Sequence, residues 1–305
     1  MIITRKKLIY CPDGSLPWAK THAMNPTIDV LNKDVIRVYF ASLDENKTGR
    51  IGYVDLNANN PEEILEVSKR PILETGIKGT FDDNGMIPSS IVTVNGVKYL
   101  YYFGFQLVKQ VRFMMFTGVA ISTDGGKSFK RHANVPVLDR NNTDLYIRSL
   151  PHVMQDNETY KVWYSGVNEW TDVLGKELPV GNIRYTESSD GLNFNRDNFI
   201  TCLEPRPEEF SLSRAFVFKH ESLYKMLFSC RLRSNDMYQL GYAESSDGKK
   251  WHRNDSKIQV STPSGEWDKD MICYTSLVPI NGKNYLFYNG NGFGTSGFGY
   301  AEVNF

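Results

Sequence analysis

The segment Lys161-Val162-Trp163-Tyr164 decides the fold, because similar aromatic-rich segments recur along the chain at an almost constant spacing. The others are Arg37-Val38-Tyr39-Phe40, Tyr99-Leu100-Tyr101-Tyr102, Lys225-Met226-Leu227-Phe228 and Tyr285-Leu286-Phe287-Tyr288. The last residues of successive segments are 62, 62, 64 and 60 residues apart, and five copies fill the 305 residues. A fixed period of this kind is typical of repeat architectures.

Further strand signals surround each aromatic segment. A second apolar segment always follows it, as Ile183-Arg184-Tyr185-Thr186 does, and in three copies leads into a Ser-x-Asp-Gly turn at 122–125, 188–191 and 245–248. Asp-Gly favours tight hairpins because Gly tolerates positive φ. Another apolar run precedes the aromatic segment, which makes four antiparallel strands per repeat. The sequence therefore predicts an all-β, five-bladed β-propeller.

The two ends of the chain are expected to meet. The fifth repeat reaches Phe305 after only three strands, while residues 6–10 precede the first repeat with no partner of their own. We expect this N-terminal strand to complete the last blade. No linker-like stretch divides the chain, so residues 1–305 are predicted to form one domain.

Composition excludes several functions. Lys plus Arg and Asp plus Glu are equal at 35 each, so no global charge attracts nucleic acid. No stretch approaches the roughly 20 apolar residues of a membrane span, and we expect a soluble, cytoplasmic protein. The four cysteines form no C-x-x-C pair and are predicted to be reduced thiols. Neither a metal site nor a cofactor is predicted.

Propellers place polar residues of their innermost strands around a shared funnel, where small ligands bind. The segments that should lead into this funnel carry ten candidate residues: His22, Asn25, Asp82, Asp83, Arg148, His152, Arg214, Asp268, Asp270 and Tyr274.

Through the spacing of its five repeats the chain resembles the five-bladed propeller glycosidases, which include arabinanases, β-xylosidases, invertases and mannosyl phosphorylases. The resemblance covers essentially the whole chain and is strongest at Phe81-Asp82, at residues 242–248 and at Trp267-Asp268. The chain also looks like propellers associated with bacterial surface-polysaccharide synthesis, through the run at 287–294. The resemblance implies a carbohydrate or sugar phosphate as ligand.

The chain departs from the hydrolases of this superfamily at the residues that carry catalysis. Those enzymes use carboxylates from their first three blades, one to protonate the leaving oxygen and another to activate water or attack carbon. This chain has Asn25-Pro26 where Asp-Pro is expected, and Arg148 near the position of the acidic Glu. Phosphorolysis, in which phosphate is the nucleophile, is therefore favoured over hydrolysis.

The candidates then divide by role. Asp83 is the first choice for the catalytic acid, with Asp82 and Asp270 as alternatives. The resemblance to phosphorylases, which hold phosphate with cationic groups, implies a cationic half-ring formed by His22, Arg148, His152 and Arg214. Asn25, Asp268 and Tyr274 complete the candidates for substrate binding. We expect Asp83, Arg148 and Arg214 to meet around one cavity.

Structural roles compete with each of these assignments. Asp82 and Asp268 recur in register ahead of a strand, as turn-forming residues do. Arg148 and Arg214 also suit bridges between blades, and a buried histidine is often only a core residue. The apolar insertion at 105–116 either extends two strands or forms a rim that contacts a sugar or another subunit.

The leading hypothesis is a carbohydrate-active enzyme that works by acid-assisted cleavage or transfer. The alternatives are a propeller that binds a sugar or nucleotide sugar without catalysis, and a scaffold for polysaccharide assembly. The sequence does not reveal the oligomeric state.

Overall fold

The computed structural model describes all residues from Met1 to Phe305 and consists mainly of β-strands. The strands are β1 (Ile2–Tyr10), β2 (Thr21–Val30), β3 (Val35–Leu43), β4 (Gly49–Asn57), β5 (Asn60–Val67), β6 (Met86–Val94), β7 (Val97–Leu107), β8 (Phe113–Ser122), β9 (Lys130–Arg131), β10 (Ile147–Asp156), β11 (Thr159–Val173), β12 (Lys176–Ser188), β13 (Ile200–Leu203), β14 (Glu209–His220), β15 (Leu223–Leu232), β16 (Tyr238–Ser245), β17 (His252–Arg253), β18 (Gln259–Val260), β19 (Cys273–Ile280), β20 (Lys283–Asn289) and β21 (Phe298–Asn304).

Helical structure is confined to three short 3₁₀ segments, Asp255–Lys257, Glu266–Asp268 and Asn291–Gly294. None of the helices has the length and apolar character needed to cross a membrane.

Consecutive strands pair antiparallel, as the hairpin signals predict. One sheet has the order β2-β3-β4-β5, which we name set 1, and another has the order β14-β15-β16-β17, set 4. An eight-stranded sheet contains set 2 (β6 to β9) and set 3 (β10 to β13), which meet where β10 pairs in parallel with β8 at two residues. The last sheet has the order β18-β1-β21-β20-β19 and contains set 5, formed by β19, β20, β21 and β1.

The predicted pairing of the two chain ends is confirmed. Strand β1 runs antiparallel to β21, with Ile2 opposite Asn304 and Tyr10 opposite Phe298. It thus supplies the fourth strand of set 5.

Aromatic strands hold neighbouring sets together. Tyr39 of set 1 packs in one buried cluster with Tyr102 and Phe116 of set 2. The hydroxyl of Tyr39 also donates to the carbonyl of Gly126, in an Asp-Gly turn of set 2, at 2.9 Å. Tyr101 donates to Gly191, and the indole of Trp163 to Gly248, in the same way. The recurrent Asp-Gly turns are therefore structural contacts between successive sets.

The first strand of every set has a β-bulge at an equivalent place. In sets 1 to 3 a proline lies in the bulge, namely Pro26, Pro88 or Pro151, and proline cannot donate to the ladder. Directly after the bulge the side chains of the five first strands converge: the equivalent residues Thr27, Ser90, His152, Phe216 and Ser276 all line one cavity. The first strands thus surround a common axis.

Candidate functional site

A central cavity of about 320 Å³ lies between the first strands and their adjoining loops. Most of its walls are apolar, and it is lined by Met24, Asn25, Ile87, Phe103, Phe105, Arg112, Phe113, Met115, Leu150, Leu178, Pro179, Arg231, Tyr238, Tyr274 and Phe293. No carboxylate is among these residues. The cavity therefore contains no pair of acidic groups of the kind that glycoside hydrolysis requires.

Aromatic rings form two walls of the central cavity. On one wall Tyr238 packs against Tyr274 and Phe293, with ring centroids 5.4 and 5.7 Å apart. On the other, Phe105 packs against Phe103 and Phe113 at 5.8 and 5.6 Å. Such rings suit a ligand with apolar faces, because aromatic side chains bury large areas in a defined geometry.

The bulges in β2 and β19 turn two polar residues into the cavity. Asn25 and Tyr274 both have left-handed backbones, with φ of 57° and 54°. The Asn25 amide nitrogen donates to the Pro88 carbonyl, but its buried Oδ1 has no partner and remains free to accept a ligand hydroxyl. Burial raises the pKa of Tyr274 well above its usual 10.0, so its hydroxyl stays protonated. Asn25 and Tyr274 are two predicted residues that the structure brings together.

Two arginines that the sequence-based site did not include also line the central cavity. Arg231 lies over the rings of Tyr238 and Phe293, and its Nη2 forms an ion pair with Asp236 Oδ1 at 2.6 Å. Arg112, at the tip of the β7–β8 hairpin, is exposed and lies near Phe113, with no carboxylate in salt-bridge contact. Its charge is therefore available to a ligand.

A rim cavity of about 510 Å³ adjoins the central one and shares Met24, Ile87, Phe105 and Arg112 with it. Its other lining residues include Asn46, Lys47, Thr48 and Asn84, and again no carboxylate. Lys47 and Arg112 thus place two cationic groups beside the aromatic walls.

The apolar insertion extends two strands, which is one of its two predicted roles. It extends β7 and β8, with Leu107 opposite Phe113, and it contributes Phe105, Arg112 and Met115 to the central cavity.

Asp82 and Asp268 lie outside the cavities, in matching structural positions. Asp82 is fully buried and accepts from the Tyr102 hydroxyl and from Arg131 Nε, both at 2.9 Å, and it forms an ion pair with Arg131. Asp268 is also fully buried, and accepts from the Tyr288 hydroxyl at 2.8 Å and from backbone N–H groups of residues 264 and 265. Both carboxylates are occupied by these bonds, which is a structural reason not to place them in a sugar site.

The other two acids are not in the central cavity either. Asp83 accepts from the backbone N–H of Gly79 and from the side-chain amide of Asn84, a residue of the rim cavity. Asp270 is exposed, and its carboxylate receives only a long contact of 3.4 Å from Asn291.

Arg148 lies between strands rather than in the funnel. Its Nη2 donates to the Tyr164 hydroxyl at 2.9 Å, and its Nη1 donates to the carbonyls of Asp139 and Arg196. The residue lines a separate cavity of about 310 Å³ with Asp139 and Arg196. The expectation that Asp83, Arg148 and Arg214 meet around one cavity is therefore wrong: their side chains are directed to three different places.

The predicted cationic half-ring of His22, Arg148, His152 and Arg214 does not form, because these residues do not line one common cavity. His22 lies outside the central and rim cavities, bonds to Thr21 and Thr295, and has its pKa lowered by burial. Burial, together with the charge of Arg214, lowers the pKa of His152 to about 3. His152 and Arg214 line the cavity below the bulges, not the central one.

The sequence contained one usable signal for the residues that were missed. The apolar insertion at 105–116 pointed to a rim, and Arg112 lies within that insertion. Arg231, Tyr238, Phe293 and Lys47 belong to no recurring motif, and only the folded chain brings them together.

Comparisons with known proteins agree with this fold. No family model matches the chain. It is 34% identical over 300 residues to the uncharacterized protein Rv1502 of Mycobacterium tuberculosis, covering 97% of each chain.

The solved structures that resemble the chain are far more distant in sequence. A glycosyl hydrolase from Bacteroides ovatus has a TM-score of 0.75 at 16% identity, with 99% of this chain and 93% of that chain covered. A member of the GH130 family of mannoside phosphorylases, which contains glycoside hydrolases, has a TM-score of 0.71 at 15% identity, covering 99% and 93%. A Bombyx mori β-fructofuranosidase in complex with sucrose has a TM-score of 0.64 at 16% identity, covering 93% and 61%. The fold is that of the propeller-type glycosidases.

Proposed function

The chain belongs to the family of the Mycobacterium tuberculosis protein Rv1502, and we propose that it binds a sugar with an anionic group, such as a sugar phosphate, in its central cavity. The sugar ring lies against the aromatic walls around Tyr274 and Phe105. The anionic group lies at Arg112 and Lys47 in the rim cavity.

This proposal includes a five-bladed propeller, with each strand set as one blade. Support comes from the five equivalent residues that line one axial cavity, and from the pairing of β1 with β21. A ring of blades brings residues as distant in sequence as Lys47, Arg112 and Tyr274 to one funnel.

One observation carries the proposal: the cavities combine aromatic walls with two cationic side chains that have no ion pair, Arg112 and Lys47, and no carboxylate lines them. An anionic ligand would gain charge-assisted hydrogen bonds there and meet no repulsion from lining acids. The unpartnered Oδ1 of Asn25 adds an acceptor for a sugar hydroxyl.

Transfer of a glycosyl group to phosphate is a second candidate function, favoured over hydrolysis by the same two cations. Phosphate would occupy the place beside Lys47 and Arg112 and attack the anomeric carbon as the glycosidic C–O bond breaks. The protein would then need to supply only an acid, which protonates the leaving oxygen. Asp83 is our candidate for that acid, because its carboxylate is bonded to Asn84 of the rim cavity. A cytoplasmic location and a part in surface-glycan metabolism also remain proposals, the latter supported by the resemblance at residues 287–294.

Isothermal titration with hexose 1-phosphates and the matching free hexoses tests the binding proposal. The phosphates should bind at least about tenfold more tightly, since hydrogen bonds to charged groups contribute about 1.5–3 kcal/mol. Arg112→Gln should remove this preference, while Arg70→Gln, at an exposed position outside both cavities, should keep it. Equal affinity for both ligand types, or a preference that survives in Arg112→Gln, would contradict the proposal.

Phosphate consumption with a panel of disaccharides separates binding from phosphorolysis. Turnover that is lost in Asp83→Asn, with sugar phosphate affinity unchanged, would support transfer. Absence of turnover with every donor leaves the binding function as the better description.

A further inference from the structure

A second cavity, of about 160 Å³, lies on the axis below the bulges, and we name it the lower cavity. None of its lining residues lines the central cavity. Its polar groups come from different sets: Thr27, Ser90, His152, Arg214 and Ser276.

Arg214 is the one charged residue that lines the lower cavity. It is only 1% exposed, and its left-handed backbone, with φ of 49°, belongs to the bulge of β14. Nη1 donates to the carbonyl and the hydroxyl of Ser89, and Nη2 donates to the hydroxyl of Ser276 at 2.9 Å. All of these acceptors are neutral. Since a guanidinium has five N–H donors and Nε has no partner, part of its hydrogen-bonding capacity is unused.

The other deeply buried arginines are paired with acids. Arg37 Nη2 lies 2.7 Å from Asp55, Arg184 Nε lies 2.7 Å from Asp144, and Arg148 Nε lies 3.8 Å from the same Asp144. Arg214 has no such ion pair, and burial lowers its pKa to about 9. A buried charge without a counter-charge is strongly unfavourable. Something that the polypeptide does not supply should therefore balance it.

His152 provides a second unsatisfied group in the same cavity. Its Nδ1 is buried and has no hydrogen-bond partner, and its ring packs 4.5 Å from that of Phe216. Its ring also forms a hydrogen bond to the backbone of Val217, so the neutral imidazole has no further N–H to donate. No Asp or Glu lines the lower cavity. The serine and threonine hydroxyls of the cavity already donate to backbone carbonyls, so Arg214 is the group in this small, partly apolar space that has donor capacity left.

We propose that the lower cavity binds a small inorganic anion, held by the unpaired guanidinium of Arg214. The anion balances the buried charge of Arg214. Because Arg214 bonds to Ser89 of β6 and to Ser276 of β19, the anion also helps to join strands of different sets. This site is independent of the sugar proposal, because it uses none of the central-cavity residues.

Thermal unfolding of the full chain in sodium gluconate, titrated with phosphate or with chloride at constant ionic strength, tests the proposal. Gluconate serves as the reference because it is too bulky for this cavity. The midpoint should rise with the logarithm of the anion concentration once this exceeds the dissociation constant, and by about 5 °C at a hundredfold excess. A rise with phosphate identifies the anion as an oxyanion, and a rise with chloride identifies it as a halide.

Two variants locate the effect. The proposed function places phosphate at the rim cavity as well, so the rise is measured in Arg112→Gln, which removes a cation there and should keep the rise. Adding Arg214→Gln to this variant should abolish it. Anomalous scattering from wild-type crystals soaked in bromide or selenate provides a test that needs no variant, and should show a peak beside Arg214 and His152. A rise that persists in the double variant would overturn the proposal, and so would the absence of both a rise and a peak.

Discussion

The buried carboxylates at the strand ends and the residues of the central cavity differ in how completely they are bonded. Asp82 and Asp268 are fully buried, and tyrosine hydroxyls and other donors of their own sets surround them. In the central cavity, by contrast, Asn25 Oδ1 has no partner and Arg112 has no ion pair with an acid. The first group holds strands together, and the second is open to a ligand.

Recurrence distinguishes the two regions. The acids pair with the last residue of an aromatic segment, as Asp82 does with Tyr102 and Asp268 with Tyr288, so the arrangement repeats with the fold. The left-handed positions in the bulges, in contrast, carry different residues, including Asn25, Leu150 and Tyr274. The acids that repeat in register serve the architecture, and we propose that the residues that vary at the bulges contact the ligand.

Replacing Asp82 gives the largest expected effect. Asp82→Ala leaves Arg131 without its acid and should lower the free energy of unfolding by about 3–5 kcal/mol, as measured by urea denaturation. Its neighbour Asp83 is the matched control, and Asp83→Ala should cost less than about 1 kcal/mol. If Asp82→Ala unfolds like the wild type and instead abolishes sugar binding, the contrast between the two regions fails.

Acid should destabilise the protein through His152. Its pKa is about 3 in the folded chain and about 6.5 when unfolded, so between these values only the unfolded chain takes up the proton. The free energy of unfolding should therefore fall by about 2 kcal/mol from pH 7 to pH 5 through this residue alone.

His152→Phe should remove that part of the slope, which urea denaturation at several pH values measures as the difference from the wild type. Above pH 7 the residue contributes no pH dependence. Parallel pH profiles for the two proteins would show that His152 is not held neutral.

Variants of Tyr274 test whether the aromatic wall of the central cavity contributes to sugar phosphate binding. Tyr274→Ala removes part of an aromatic wall and should weaken sugar phosphate binding about tenfold, equivalent to about 1.4 kcal/mol. Tyr274→Phe keeps the ring and should lose less. Titration calorimetry measures both affinities, and a larger loss for Phe than for Ala would rule out a stacking role.

The smallest effect concerns the cysteines. All four are free thiols, and Cys230 and Cys273 are buried. Adding dithiothreitol should change the free energy of unfolding by less than about 0.5 kcal/mol, which the same urea denaturation measures. A larger loss of stability would reveal a disulfide.

The sequence predicted the strands well because their signals are local and periodic. The aromatic segments, the Asp-Gly turns and the pairing of β1 with β21 all follow from spacing. Side-chain direction does not follow from spacing: the bulge in β14 sends Arg214 below the central cavity, and Arg148 turns toward Tyr164. Of ten predicted site residues, Asn25 and Tyr274 line the central cavity.

A crystal structure of the protein with a bound hexose 1-phosphate would test the central claim most directly. We predict that the sugar ring contacts Tyr274 and Phe105 and that the phosphate lies within hydrogen-bond distance of Arg112 and Lys47. A ligand bound instead at Asp82 or Asp268, or outside the central and rim cavities, would contradict it.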